Sequence, residues 1–228
     1  MNATIVISAV VAIAVVLVAY GYFKGSASAP NASQLQGTIH DGKSAMQTKH
    51  VPSRSVNQQE GLTFSYTCWL KINDFAYRYG EPKVVFVKGS PDLKTACPAL
   101  VLDGNTNSLL LKIDTFGAQE SIPVPNIPAK KWIHVAIAVD QDSIDVYING
   151  TLYTHHTVTQ LPKQNNSAVH ISPNGGFDGK IANLDYHPSF LTPADVKAAM
   201  ASTPQPDPND VAGPLPPYFD ITWWTGRR

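Results

Sequence analysis

Between residues 62 and 72 the chain reads LTFSYTCWLKI. Leu62, Phe64, Tyr66, Cys68, Leu70 and Ile72 fall on one face of an extended strand, and Thr63, Ser65, Thr67 and Lys71 on the other. A period of two cannot be the stripe of a helix, so this segment predicts a half-buried strand. Shorter strand candidates follow at 84–87, 99–103, 109–114, 132–139, 144–148, 152–158, 168–172 and 179–186. Between them lie Asp-Gly-Asn, Asp-Gln-Asp-Ser, Asn-Gly and Asn-Gly-Gly, residues that tolerate the tight and left-handed conformations of hairpin turns. Composition agrees: of 17 acidic residues only Glu60, Glu81 and Glu120 are glutamates, so the helix-favouring carboxylate is scarce. The expectation is an all-β, antiparallel sandwich or barrel over residues 57–200. One short helix is predicted near its end. Thr192 can cap it, Pro193 suits its first position, Asp195 favours the positive end of its dipole, and Val196 to Met200 continue it.

A second constraint stands at the N-terminus. Residues 3–23, ATIVISAVVAIAVVLVAYGYF, carry no charge, and as a helix they would measure roughly 31 Å, close to the ~30 Å hydrocarbon thickness of a bilayer. Tyr20, Tyr22, Phe23 and Lys24 form an aromatic and basic edge suited to the headgroup region. The alternative is a signal peptide cleaved after Ala27-Ser28-Ala29, but the run has no basic segment before it and exceeds the usual apolar length. The expected organisation is a transmembrane anchor at 1–24, a stalk at 25–56, the sandwich at 57–200 and a tail at 201–228. The tail holds six prolines between 203 and 217 and then Tyr218, Phe219, Trp223 and Trp224, an aromatic set expected to dock on the sandwich or a partner. Basic residues Lys24, Lys43, Lys49 and Arg54 follow the anchor and none precedes it, which predicts a sandwich on the cytosolic face.

The segment 130–153, KKWIHVAIAVDQDSIDVYINGTLY, resembles the central hairpin of laminin G-like jelly-roll domains in the concanavalin A-like lectin/glucanase superfamily. The likeness rests on Trp132, His134, Val135 and Ala136, then a polar turn, then Val146-Tyr147-Ile148-Asn149-Gly150. The stretch from Phe177 to Leu184, with Leu191-Thr192-Pro193-Ala194-Asp195-Val196, resembles the family's closing strand and short helix, and Phe64 to Leu70 its opening strand. The resemblance implies a jelly-roll sandwich and no particular activity. An anchor joined to such a domain is also similar to membrane proteins of large DNA virus particles, which would imply an internal virion membrane and capsid protein partners.

Chemistry is sparse. The glucanase branch of the superfamily carries E-x-D-x-E on one strand, which sets nucleophile and general acid on one face. Here the three glutamates are far apart in sequence and no strand candidate has alternating carboxylates, so no catalytic residue is expected. Neither G-x-S-x-G, a P-loop nor G-x-G-x-x-G occurs. Cys68 lies on an apolar face, Cys97 precedes Pro98 in an expected loop, and the two are either free thiols or a disulfide pair. Adjacent His155 and His156 would point to opposite faces of a strand and cannot share a metal, while His134 reads as a packing or hydrogen-bonded residue.

Some laminin G-like domains hold calcium with loop oxygens, and Asp103, Asn105 and Asn107 form the one loop rich enough in oxygen; a tight hairpin explains the same residues without metal. Otherwise no cofactor is expected. For ligand binding the best segment is Phe75 to Gly80, in which Tyr77, Arg78 and Tyr79 offer aromatic faces and a guanidinium fork for a sugar or a protein edge. Lysine plus arginine equal aspartate plus glutamate at 17 each, leaving no basic field for nucleic acid. The sequence therefore predicts a single-pass membrane protein displaying a non-catalytic recognition or structural sandwich. Its partners would be the bilayer, proteins at the membrane surface and glycan, with a surface lectin as the alternative and a glycoside hydrolase as the second alternative.

Overall fold

The computed structural model describes residues 32–55 and 61–204. Its thirteen strands are β1 (Ser33–Gln36), β2 (His40–Asp41), β3 (Met46–Gln47), β4 (Thr63–Asp74), β5 (Lys83–Gly89), β6 (Ala96–Leu102), β7 (Leu109–Ile113), β8 (Glu120–Val124), β9 (Trp132–Asp140), β10 (Ser143–Ile148), β11 (Thr151–Thr157), β12 (Val169–Ile171) and β13 (Asp178–His187). One helix, α1 (Pro193–Ala199), follows them. A seven-stranded sheet has the order β1-β13-β4-β9-β10-β11, with β2 also on β13; a six-stranded sheet has the order β3-β12-β5-β6-β7-β8. All pairings are antiparallel, and the two sheets close on one core as a jelly-roll sandwich.

The alternation in β4 sends Phe64, Tyr66, Cys68, Leu70 and Ile72 into that core. Tyr66 is its aromatic centre, with ring centroids 5.8 Å from Phe86 and 5.1 Å from Tyr186. The opposite face of β4 is not solvated as expected, since residues 63–70 are buried throughout. Residues 189–199 cover its Ser65 end and the neighbouring strands β9 and β10. The Ser65 hydroxyl donates to the Ser189 carbonyl (2.8 Å) and accepts from the Leu191 amide (3.0 Å), while Leu191 and Val196 pack on Ala136, Ala138 and Tyr147. α1 begins as its sequence predicts: Thr192 and Asp195 form a reciprocal capping box with Pro193 in the first turn.

Four strands lie outside the expected set. The described part of 25–56, expected as a stalk, supplies β1, β2 and β3 and buries Leu35, so the sandwich begins at Ser33 rather than at 57. β8 is an edge strand that contains Pro123, tolerated there because an edge strand has amides the ladder does not need. Cys97 lies in β6 rather than in a loop, and both cysteines are buried free thiols. The Asn149-Gly150 turn takes the positive φ values of 51° and 74° that such a two-residue hairpin requires.

The register defines two ends. Ser33 pairs with Tyr186, near the β9–β10 turn at Gln141 and Asp142 and the loops 114–119 and 158–167; we term this the proximal end. The β4–β5, β6–β7 and β12–β13 loops lie at the distal end. Among the described residues no helix is long and apolar enough to cross a membrane. The run 3–23 and the aromatic set Tyr218, Phe219, Trp223 and Trp224 lie outside the described residues.

Candidate functional site

At the distal end the β4–β5 loop folds back on itself, with the Asp74 carboxylate accepting from the Ala76 amide at 2.8 Å. Of the three ligand candidates in that loop, two are engaged within the protein. The Tyr77 hydroxyl donates to the Gly175 carbonyl at 3.1 Å, and Lys43 lies over the ring, 4.8 Å from its centroid. Arg78, at a positive φ of 49°, aims Nε and one Nη at Glu81 Oε2 (2.9 and 2.7 Å) and donates its other Nη to the Asn174 carbonyl. Tyr79 is free to meet a partner, being 70% exposed.

These loops frame two clefts on the outer face of the six-stranded sheet. The first, about 340 Å³, lies between Arg78 and Glu81 on one side and Asp92 and Leu93 on the other. The second, about 290 Å³, is walled by Met46, Gln47 and His170. A link from Asn174 Nδ2 to the Pro91 carbonyl, 2.7 Å, separates them. Leu93, at φ 62°, packs on the cluster of Val84, Val87 and Val101 and so closes part of that apolar face. Asp92 is held well below the usual carboxylate range by its hydrogen bond from Ser90 and by Lys94, 2.9 Å away. The first cleft thus offers a fixed guanidinium, an ionised carboxylate, an asparagine and aliphatic walls, a mixture that suits a polar ligand with an apolar face.

The proposed calcium loop is occupied by its own hydrogen bonds. Asp103 Oδ2 accepts from the Asn105 amide (3.4 Å), the Thr106 amide (3.0 Å) and the Thr106 hydroxyl (2.6 Å), and these bonds hold the carboxylate pKa down. The Asn107 carbonyl accepts from Ile127. Those contacts are what a tight hairpin needs, and among the described residues no three His, Cys, Asp or Glu side chains gather as metal ligands.

The histidines go separate ways. His155 Nδ1 meets Asp145 Oδ1 on the neighbouring strand at 2.6 Å. His156 Nε2 meets Glu120 Oε2 at 2.7 Å, and Glu120 Oε1 accepts from the Thr159 amide and hydroxyl, so this set clasps the edge of one sheet to the other. His134 is a buried packing residue 5.3 Å from the Trp69 ring; burial, and then His187 beside it, push its pKa down to about 4. Burial pushes Cys68 and Cys97 up to about 12, far from a reactive thiolate.

Reading the sequence missed Pro91, Asp92, Leu93, Pro173 and Asn174. They belong to loops more than 80 residues apart and to no motif, and the one local signal was the turn chemistry of Pro173-Asn174-Gly175-Gly176.

A laminin G-type family model, described as the concanavalin A-like lectin/glucanases superfamily, matches residues 41–197. SH2 domain-containing protein A of Arabidopsis thaliana is 25% identical over 163 residues, 63% of this chain and 25% of that protein. Among solved structures, the botulinum neurotoxin serotype D binding domain superposes with a TM-score of 0.56 at 12% identity, over 75% of this chain and 46% of that one. The binding domain of botulinum neurotoxin DC in complex with rat synaptotagmin II does so with a TM-score of 0.54 at 12% identity, over 76% and 47%. A structure of botulinum neurotoxin type C, a toxin that depends on interaction with two ganglioside molecules to reach the cell interior, gives 0.54 at 14%, over 76% and 46%. The chain spans a quarter of the plant relative and about half of each toxin chain. At these identities the structural likeness is one of fold.

Proposed function

This chain belongs to the concanavalin A-like lectin/glucanases superfamily, and we propose that it is a non-catalytic recognition module, held at a membrane by residues 3–23 and presenting its distal cleft to a partner. The observation that carries this reading is the state of the carboxylates in that cleft. Glycoside hydrolysis by the usual route needs one carboxyl that keeps its proton near neutral pH and a second facing it. Asp92 is held ionised by Ser90 and Lys94, and Glu81 accepts from Arg78 Nε and one Nη. Asp185, pushed up to about 6 by burial, lies on the other sheet. A panel of β-glucans and chromogenic glycosides should give no turnover above a buffer blank; turnover abolished by Asp92→Asn or Glu81→Gln would overturn the reading.

The partner class we favour is a protein at the membrane surface, including a capsid protein if the membrane is that of a virus particle. A glycan is the second reading, favoured by Tyr79 standing exposed beside the Arg78 cleft, since an aromatic face stacks on a sugar ring and a guanidinium bonds its hydroxyls. The related fold in toxin domains that engage synaptotagmin II and gangliosides supports both. The basic flank after the anchor favours the cytosolic side. Alkaline carbonate should leave the full chain in the membrane pellet, and deletion of residues 1–24 should release it. Full-length protein in the supernatant would remove the anchor.

A further inference from the structure

We propose that the proximal end of the sandwich is a lipid-contact surface, with Phe116 and Leu161 dipping into the headgroup region of an anionic bilayer; this rests on the reading of residues 3–23 as an anchor. Phe116 is 69% exposed and Leu161 48%, an apolar pair at the tips of two different loops. They are brought together by the Phe116 amide donating to the Leu161 carbonyl at 3.0 Å and by the bridge between Thr115 and Pro162. An aromatic and a leucine held out side by side in water have no structural use at this position, whereas an interface between water and lipid suits both.

The surroundings have the charge such a surface needs. Lys94 and Lys163 flank a cleft of about 310 Å³ between the same loops, and Lys49 and Arg54 stand exposed on the strap 49–55 nearby. The acids on this half of the end are engaged: Asp114 accepts from the Ala96 amide and from Gln119, and Glu120 accepts from the Thr159 amide and hydroxyl and meets His156; Lys94 is itself paired with Asp92 of the distal cleft, 2.9 Å away. Asp140 and Asp142 belong to the β9–β10 turn of the seven-stranded sheet, where the Asp142 carbonyl accepts from the Val158 amide at the start of the Leu161 loop. Lys163, Lys49 and Arg54 are the exposed basic groups on this side of the apolar tips, the charge that draws a surface to anionic headgroups.

Chain geometry selects the occupant. The described fold begins at Ser33, which lies at this end, with its hydroxyl 3.4 Å from His50 Nε2 on the strap. Residues 24–32 alone separate Ser33 from the uncharged run, and nine residues span at most about 30 Å. A bilayer holding 3–23 is consequently within reach of the proximal end, and the Arg78 cleft at the distal end faces away from it.

The test uses the full chain reconstituted into phosphatidylcholine vesicles containing phosphatidylserine and brominated acyl chains. A fluorophore is attached at Phe116→Cys, at Leu161→Cys, or at Tyr79→Cys as the distal control; Cys68 and Cys97 are buried and stay unlabelled in the folded protein. The expected result is that labels at 116 and 161 lose most of their emission to the brominated lipid, that the label at 79 does not, and that Arg54→Glu with Lys163→Glu relieves the quenching. If the chain floats with the vesicles while all three labels stay equally bright, the lipid contact is overturned and the anchor stands. If the chain does not float with the vesicles after carbonate, anchor and contact both fall.

Discussion

The outer faces of the two sheets are covered in different ways. On the seven-stranded sheet the cover is a capped helix with its leading turn, Leu191 and Val196 over Ala136, Ala138 and Tyr147, and Ser65 is bonded on both sides to that segment. The same face holds Trp69, His134 and Asp185. On the six-stranded sheet a loop side chain, Leu93, folds over Val84, Val87 and Val101, joined by Leu110 of the sheet itself, and clefts remain on either side of the Asn174–Pro91 link. A face sealed by regular structure serves stability. A face half closed by a loop keeps room for a ligand at a smaller cost to the fold, which is why the proposed recognition surface lies on the six-stranded side.

The sharpest way to break this contrast is to thin each cover. Leu191→Ala removes a fully buried side chain and should cost about 3 to 4 kcal/mol, whereas Leu93→Ala, from a partly buried one, should cost about 1 kcal/mol. Denaturant midpoints measure both, and equal losses would erase the distinction.

Acid probes the polar groups of the sealed face. His134 has a folded pKa of about 4, below its ordinary value of 6.5, so its contribution is complete above pH 6.5 and is lost as pH falls toward 4, up to about 3 kcal/mol. Asp185 works in the opposite sense. Its folded pKa of about 6 lies above the ordinary 3.8, so it favours the fold at low pH and that contribution is lost as pH rises through 6. The two oppose each other between pH 4 and 6. Asp185→Asn should therefore steepen the acid loss of stability in that window and His134→Gln should flatten it; identical pH profiles for both variants would mean that neither group is held as the fold implies.

The smallest effect is expected in the cleft. Asn174→Gly keeps the positive φ of 55° and removes one side-chain hydrogen bond, which should cost no more than about 1 kcal/mol. It frees the loop carrying Asp92 and Leu93, so partner binding should fall much more than the melting temperature; a large stability loss would mark the link as structural.

Long alternating segments were legible from sequence. β4 declares itself through a sequence of period two, β9, β10 and β13 through apolar runs bounded by turn residues, and Thr192-Pro193-x-Asp195 declares α1. β1 to β3 did not, because pieces of two to four residues are too short to show a period and take their stability from β13 and β12. β8 was hidden by Pro123 at a sheet edge. The solvated face expected for β4 was wrong because its cover comes from residues more than 120 positions later. Only part of the cleft could be read. Tyr77 and Arg78 stood out as residue types, but their use as internal braces depends on Asn174 and Gly175, which only the fold brings alongside.

The most direct test of the proposed recognition role is photo-crosslinking in the membrane that carries the full chain, with a photoreactive residue at Tyr79 on the distal end or at Tyr153 on the side of the sandwich. The account predicts a discrete crosslinked partner from position 79, lost on Arg78→Ala while the melting temperature holds, and none from position 153. Equal capture from both positions, or capture at 79 that survives Arg78→Ala, would contradict it.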